Sequence, residues 1–185
     1  AYTEERGDIL KSLDLTVKSG EWLGIVGASG AGKTTIFDLL LRFYEPQAGR
    51  ITLDGIDLGR ISAGELRSGI AKVSQETFLF PGTIRENLLL AKPGAGEEEL
   101  KQVLKSVCLD KFTGELDTEI GENGLSVSGG ERQKLGLAQG LLRDCRVILL
   151  DEVTANVDRD SEREIKEVLG KLHREKGLTI IAISH

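Results

Sequence analysis

Eight consecutive residues, Gly27-Ala28-Ser29-Gly30-Ala31-Gly32-Lys33-Thr34, have the types and spacing needed to hold a chain of phosphates. Gly27, Gly30 and Gly32 let the backbone fold tightly, so that the N–H groups of Ala28, Ser29 and Ala31 turn toward an anion. Lys33 adds a point charge for the β- and γ-phosphates. Thr34 offers a hydroxyl to Mg²⁺, and Thr35 follows with a further amide. A second chemical pair, Asp151-Glu152, lies far downstream. One carboxylate of such a pair can face the metal, while the next polarises a water that attacks the γ-phosphate. A third candidate is Ser128-Gly129-Gly130, small residues that could open a helix onto a second anion.

These residues need particular elements to position them. Trp22-Leu23-Gly24-Ile25-Val26 reads as a buried strand and Thr35–Leu41 as a helix. Strand, G-x-x-x-x-G-K-[ST], helix is the arrangement of a P-loop, whose helix N-terminus also attracts phosphate. Val147-Ile148-Leu149-Leu150-Asp151 is an apolar run ending in a carboxylate, as a central parallel strand would be. Ligands gather at the carboxyl ends of parallel strands, so Asp151 and Glu152 are expected beside the P-loop. The helix after Ser128 runs through Leu142, away from that loop. Such a site does nothing for a nucleotide in the same chain unless two chains face each other.

The rest of the 185 residues predicts an α/β fold: a P-loop NTPase core with a mixed sheet, an N-terminal antiparallel β part and an inserted helical subdomain. Leu13–Val17 alternates as a half-buried strand does, Arg50–Leu53 reads as another, and Asp54-Gly55 signals a hairpin. Ile70–Val73 is a short strand. Thr83-Ile84-Arg85-Glu86 matches a capping box. Glu97–Val107 reads as a helix, its three leading glutamates suiting the helix dipole. Asp158–Lys176 reads as an amphipathic helix with His173 on its solvated face, and Leu178–Ser184 as a buried strand. Residues 1–80 and 144–185 are therefore expected to form the nucleotide-binding core, with 81–143 as the helical subdomain. With 24 Lys and Arg against 30 Asp and Glu the chain lacks the basic field of a sequence-independent nucleic-acid binder, and no nucleic acid is expected as a partner. No apolar run approaches the roughly 20 residues of a membrane helix, and no signal peptide is visible. Cys108 and Cys145 read as reduced thiols. The absence of Met and the stop within an apolar run suggest that both ends are cut from something longer.

Taken in order, the motifs resemble those of ABC-transporter ATPase domains over essentially the whole chain. Val127-Ser128-Gly129-Gly130-Glu131 is similar to the signature Leu-Ser-Gly-Gly-Gln and stands at the family's spacing before Asp151-Glu152. Gln75 resembles the Q-loop glutamine that ligates Mg²⁺. Val157-Asp158 closes a D-loop. His185 resembles the switch histidine at the γ-phosphate, and Tyr2 the aromatic that stacks on adenine. The resemblance implies ATP and Mg²⁺ as cofactors, with Lys33, Gln75, Glu152 and His185 in catalysis and Thr34, Gln75 and Asp151 at the metal. It implies a head-to-tail dimer with a second ATPase domain, in which Val127, Ser128, Gly129, Gly130, Glu131 and Asp158 face the partner's nucleotide. Transmembrane domains would hold the pair at the cytoplasmic face of the membrane. Leu116–Gly124 and Thr83–Asn87 are similar to exporter segments. Two alternatives stand beside transport: a soluble ABC-type ATPase, and a non-hydrolysing half of an asymmetric pair. The departures are Val127 for Leu, Glu131 for Gln, and Ala155-Asn156 for the usual Ser-Ala.

Overall fold

The computed structural model describes residues 9–74, 77–120, 127–154 and 157–184. In chain order the elements are β1 (Trp22–Val26), α1 (Lys33–Leu40), β2 (Thr52–Leu53), β3 (Ile56–Asp57), α2 (Ala63–Gly69), β4 (Ile70–Ser74), β5 (Gly82–Thr83), α3 (Ile84–Ala91), α4 (Glu97–Ser106), β6 (Glu119–Ile120), α5 (Gly129–Leu142), β7 (Val147–Asp151), α6 (Arg159–Lys176) and β8 (Thr179–Ser184). The central sheet has four strands in the order β1-β8-β7-β4, all parallel. Its register aligns Val26 with Ser184, Ile183 with Asp151, and Asp151 with Ser74. The carboxyl ends of the four strands therefore share one edge, and the loops that leave them can meet there.

Alternating side chains divide the sheet between two cores. On one face Ile70, Leu149, Ile181 and Ile183 bury Phe37 and Leu41 at α1. On the other, Ala71, Val73, Ile148, Leu150 and Ile180 share a cluster with Leu135 and Leu141 of α5 and Ile165 and Leu169 of α6. Leu88 of α3 and Leu100 and Leu104 of α4 belong to that same cluster, so the helical stretch and the sheet are sealed by continuous apolar packing. α5 is the hub, in contact with α3, α4, α6 and β4.

Local signals explain most element boundaries. Thr83 and Glu86 form a reciprocal capping box at α3. Asp54 and Gly55, with φ of 50° and 78°, make the two-residue turn between β2 and β3. Asn87 is almost fully buried and ties the turn before α3, accepting from Phe80 N–H at 2.8 Å and donating to the Phe80 and Thr83 carbonyls.

The structure differs from the sequence expectation at the sheet's margins. β1 is an edge strand of the described sheet rather than a buried one, with Trp22 40% and Val26 72% exposed. Leu13–Val17 lies in no strand, and Leu13 and Leu15 are exposed. Alternation makes a strand only where a neighbour supplies the ladder, and none of the described strands pairs with this segment. Antiparallel pairing among the described residues is confined to β2–β3 and β5–β6, while the four described strands of the central sheet are all parallel. His173 is not simply solvated. Gly177 ends α6 in the left-handed region, and the returning chain brings the Leu178 carbonyl to 3.0 Å from His173 Nδ1. Its ring meets Trp22 edge-on, the centroids 5.7 Å apart. No helix among the described residues is long and apolar enough to cross a membrane.

Candidate functional site

The loop between β1 and α1 closes as a tight turn, with Ala31 N–H donating to the Ala28 carbonyl at 3.2 Å. Gly30 and Gly32 take φ of 79° and 86°. Gly32 is the N-cap of α1, and no side chain caps that helix. Its first N–H groups are thus left for water or a ligand. Gly32 is fixed by space as well as by conformation, because a Cβ there would lie 2.6 Å from Ile9 Cγ2. Lys33 is buried, and its ammonium donates to the carbonyls of Gly27 at 2.6 Å and Ala28 at 3.1 Å. Thr34 is exposed at the start of α1 and Thr35 half-buried behind it.

Asp151 ends β7 on the same sheet edge, its side chain 14% exposed. Its Oδ2 pairs with Lys72 Nζ at 3.1 Å. Lys72 was not among the residues the sequence singled out. The available signal was a cation inside the apolar run Ile70–Val73, a place where lysine is rare unless paired. Glu152 follows with φ of 52°, a left-handed conformation unusual outside glycine, and its N–H donates to the Ile183 carbonyl at 3.2 Å. That tie to β8 directs the residue off the strand axis at the edge where the phosphate loop also lies. Strain of this kind costs about 1–3 kcal/mol and persists where surrounding structure fixes it.

Ser128 and Glu131 build a second helix start of different character. Ser128 Oγ accepts from Glu131 N–H at 3.2 Å, and Glu131 Oε2 accepts from Ser128 N–H at 2.8 Å, a complete capping box on α5. The other carboxylate oxygen of Glu131 pairs with Lys111. Burial pushes the Glu131 carboxyl up, but the Lys111 ammonium and the Ser128 N–H outweigh it and hold the group below its ordinary value. Val127 and Gly130 are buried, while Ser128 and Gly129 are exposed. A Cβ on Gly130 would lie 2.6 Å from Ser161 Cβ, so glycine is what lets α5 meet the start of α6. Asp158 caps α6, accepting from the N–H groups of Asp160 and Ser161 and from the Ser161 hydroxyl at 2.7 Å. Lys134, itself buried, pairs with Glu164 and binds the same two helices together.

Tyr2, Gln75, Ala155-Asn156 and His185 lie outside the described residues, as does the 121–124 part of the exporter-like segment. The structure thus brings the phosphate loop and the Asp151-Glu152 pair to one edge. The α5 start belongs to a separate junction with α6. Among the described residues no three His, Cys, Asp or Glu side chains gather as a metal cluster.

A parallel sheet with a glycine-rich loop running from its first strand into an uncapped helix defines a P-loop NTPase fold. The family model described as ABC transporter matches residues 10–155. The chain belongs to the ABC transporter family, as an ATPase domain. It is 42% identical over 181 residues to the heterocyst differentiation ATP-binding protein HepA of Nostoc, covering 96% of this chain and 30% of that protein. It is 39% identical to the ATP-dependent lipid A-core flippase of Chromohalobacter salexigens, covering 100% of this chain and 32% of the flippase. A solved bacterial Atm1-family ABC exporter with ATP bound superimposes with a TM-score of 0.89 at 36% identity, over 100% of this chain and 32% of that one. The chain spans about a third of the length of these relatives.

Proposed function

We propose that this chain binds and hydrolyses ATP in a head-to-tail pair of such domains, and that turnover drives export through transmembrane domains at the cytoplasmic face of a membrane. The observation that carries the reading is the shared sheet edge: an uncapped α1 with Lys33 beneath its loop, and Asp151-Glu152 at the end of β7. The loop amides and the α1 N-terminus would bind the phosphates. Lys33 would exchange its two carbonyl partners for β- and γ-phosphate oxygens. Thr34 and Asp151 fit a magnesium ion, which is commonly held by one or two protein oxygens plus phosphate. Bound there, the ion would neutralise charge on the transferring phosphoryl group. Glu152 would orient the attacking water, with His185 and Gln75 completing the site and Tyr2 stacking on the base. Ser128, Gly129, Gly130 and Asp158 would face the partner's nucleotide. Residues 81–143 would act as the helical unit that carries this second face, and 1–80 with 144–185 as the nucleotide-binding core. Exporter relatives such as the lipid A-core flippase support the direction of transport.

Glu152→Gln tests the reading. It should keep ATP and Mg²⁺ binding, lose about a hundredfold or more in turnover as expected for a missing general base, and accumulate an ATP-bound dimer on gel filtration. Hydrolysis at the wild-type rate would reject Glu152 as the water-orienting group.

A further inference from the structure

Lys72 breaks an apolar strand. Its neighbours on the same face of the sheet are Ile70, Leu149 and the aromatic ring of Phe37, all buried. The side chain is 22% exposed, and its ammonium sits 3.1 Å from Asp151 Oδ2, 4.0 Å from Asp38 Oδ1 and 6.0 Å from the Phe37 ring centroid. It therefore joins three elements: β4, which carries it, β7, which ends in Asp151, and α1, which begins at the phosphate loop. Two carboxylates, one from β7 and one from α1, flank the ammonium in this partly desolvated place. The same contact has a consequence for the carboxylate. Lys72 puts a positive charge 3.1 Å from Asp151 Oδ2, so a cation bound by that carboxylate would meet a like charge beside it.

We propose that Lys72 is a positioning residue that competes internally with the divalent cation for Asp151. The proposal rests on Asp151 standing at the metal, as put forward above. Without metal, Lys72 holds the Asp151 carboxylate toward α1. When Mg²⁺ arrives with nucleotide, the ammonium yields its share of Asp151 and remains with Asp38. Lys72 thereby sets how much the metal adds to nucleotide affinity, independently of the hydrolytic step.

The measurement is the dissociation constant of a fluorescent N-methylanthraniloyl ATP, taken once in EDTA and once in saturating Mg²⁺, on the whole chain. The ratio of the two constants is the gain from metal. In Lys72→Met that ratio should rise about fivefold, the order expected when one like charge is removed from near a cation in a wet cleft. Lys72→Arg should keep the wild-type ratio, because the cation is retained. Release of Mn²⁺, followed by electron paramagnetic resonance with ATP present, should show tighter metal retention in Lys72→Met by the same factor. If Lys72 only stabilised the fold, both constants would move together and the ratio would stand still, which overturns the proposal. Lys72→Gln replaces the methionine variant if circular dichroism shows that the latter is unfolded. Asp151→Asn separates the two ideas. It should collapse the wild-type ratio, and if the ratio survives, it is the placement of Asp151 at the metal that fails.

Discussion

Two helix starts in this protein look alike in sequence and differ in what they do with their backbone. α1 begins at Gly32 in the left-handed region, with no side-chain hydrogen bond capping its first N–H groups and no acid in its first turn. α5 begins at Ser128 with a full capping box, and Glu131 is further paired to Lys111. The first helix leaves its orphan donors to water or a ligand. The second satisfies part of its own, at a gain of roughly 1 kcal/mol for the cap. An anion at α1 thus completes the helix. At α5 it meets a helix already closed, with a carboxylate held beside it. Under the function proposed above, this difference would divide the work, with α1 supplying affinity and α5 facing a nucleotide bound by another chain.

The largest effect should come from removing the cation at the open start. Lys33→Ala deletes a group able to make two charge-assisted hydrogen bonds, each worth about 1.5–3 kcal/mol, so nucleotide affinity should fall by about a hundredfold or more by fluorescence titration. The fold should survive, because what the variant loses internally is the pair of bonds to the Gly27 and Ala28 carbonyls. Unchanged affinity would erase the distinction between the two helix starts.

A smaller but more discriminating effect belongs to α5. Ser128→Arg crowds an exposed cap without touching the phosphate loop. It should leave nucleotide affinity of the single chain at the wild-type level and abolish turnover of its homodimer. Mixed with Lys33→Ala, it forms heterodimers in which one site joins an intact loop to an intact α5 start. ATPase activity should reappear there, provided one site fires alone. A chain carrying both changes, mixed with wild type, leaves no intact site in the heterodimer and should show no such recovery. Full turnover in the Ser128→Arg homodimer would leave the α5 start with a purely structural task.

How much of this was legible follows from which partner a residue takes. Gly27 to Thr34 could be read as a turn leading into a helix because the glycines and the helix start are adjacent in sequence, and the structure has that turn and α1 beginning at Lys33. Thr83 and Glu86 could be read because a capping box is local. The same spacing stands at Ser128 and Glu131, where reading outward to a ligand and reading inward to the helix fit the letters equally. The structure shows the inward bonds. What the letters could not show depends on neighbours distant in sequence. The edge position of β1 follows from strand order, the Lys72–Asp151 pair from β4 lying beside β7, and the His173–Trp22 contact from the turn at Gly177. Glu152 was legible as an acid after a strand, but its left-handed backbone, tied to Ile183, was not.

The smallest expected effect is a difference in acid sensitivity between the two starts. The Glu131 carboxyl is held below its ordinary 4.5 by Lys111 and the Ser128 N–H, against the opposing push of burial. A carboxylate with a lowered folded value stabilises fully above the unfolded one and loses that contribution as pH falls through the folded one. The α5 cap should therefore hold at pH 5 and release below 4.5. Asp158 follows the same sign at α6, held below 3.8 chiefly by the Ser161 N–H and hydroxyl. The first turn of α1 has no carboxylate to protonate. Amide nitrogen shifts recorded by NMR from pH 6 to 3 should show Ser128 titrating with a midpoint below 4.5, while the amides of Thr34 and Thr35 do not follow that midpoint. Lys111→Gln should move the Ser128 midpoint upward, because burial is then opposed by the Ser128 contact alone. A midpoint unmoved by that change would mean that the Lys111 pair contributes nothing to the closed start of α5. The contrast with α1 would then rest on the capping box alone.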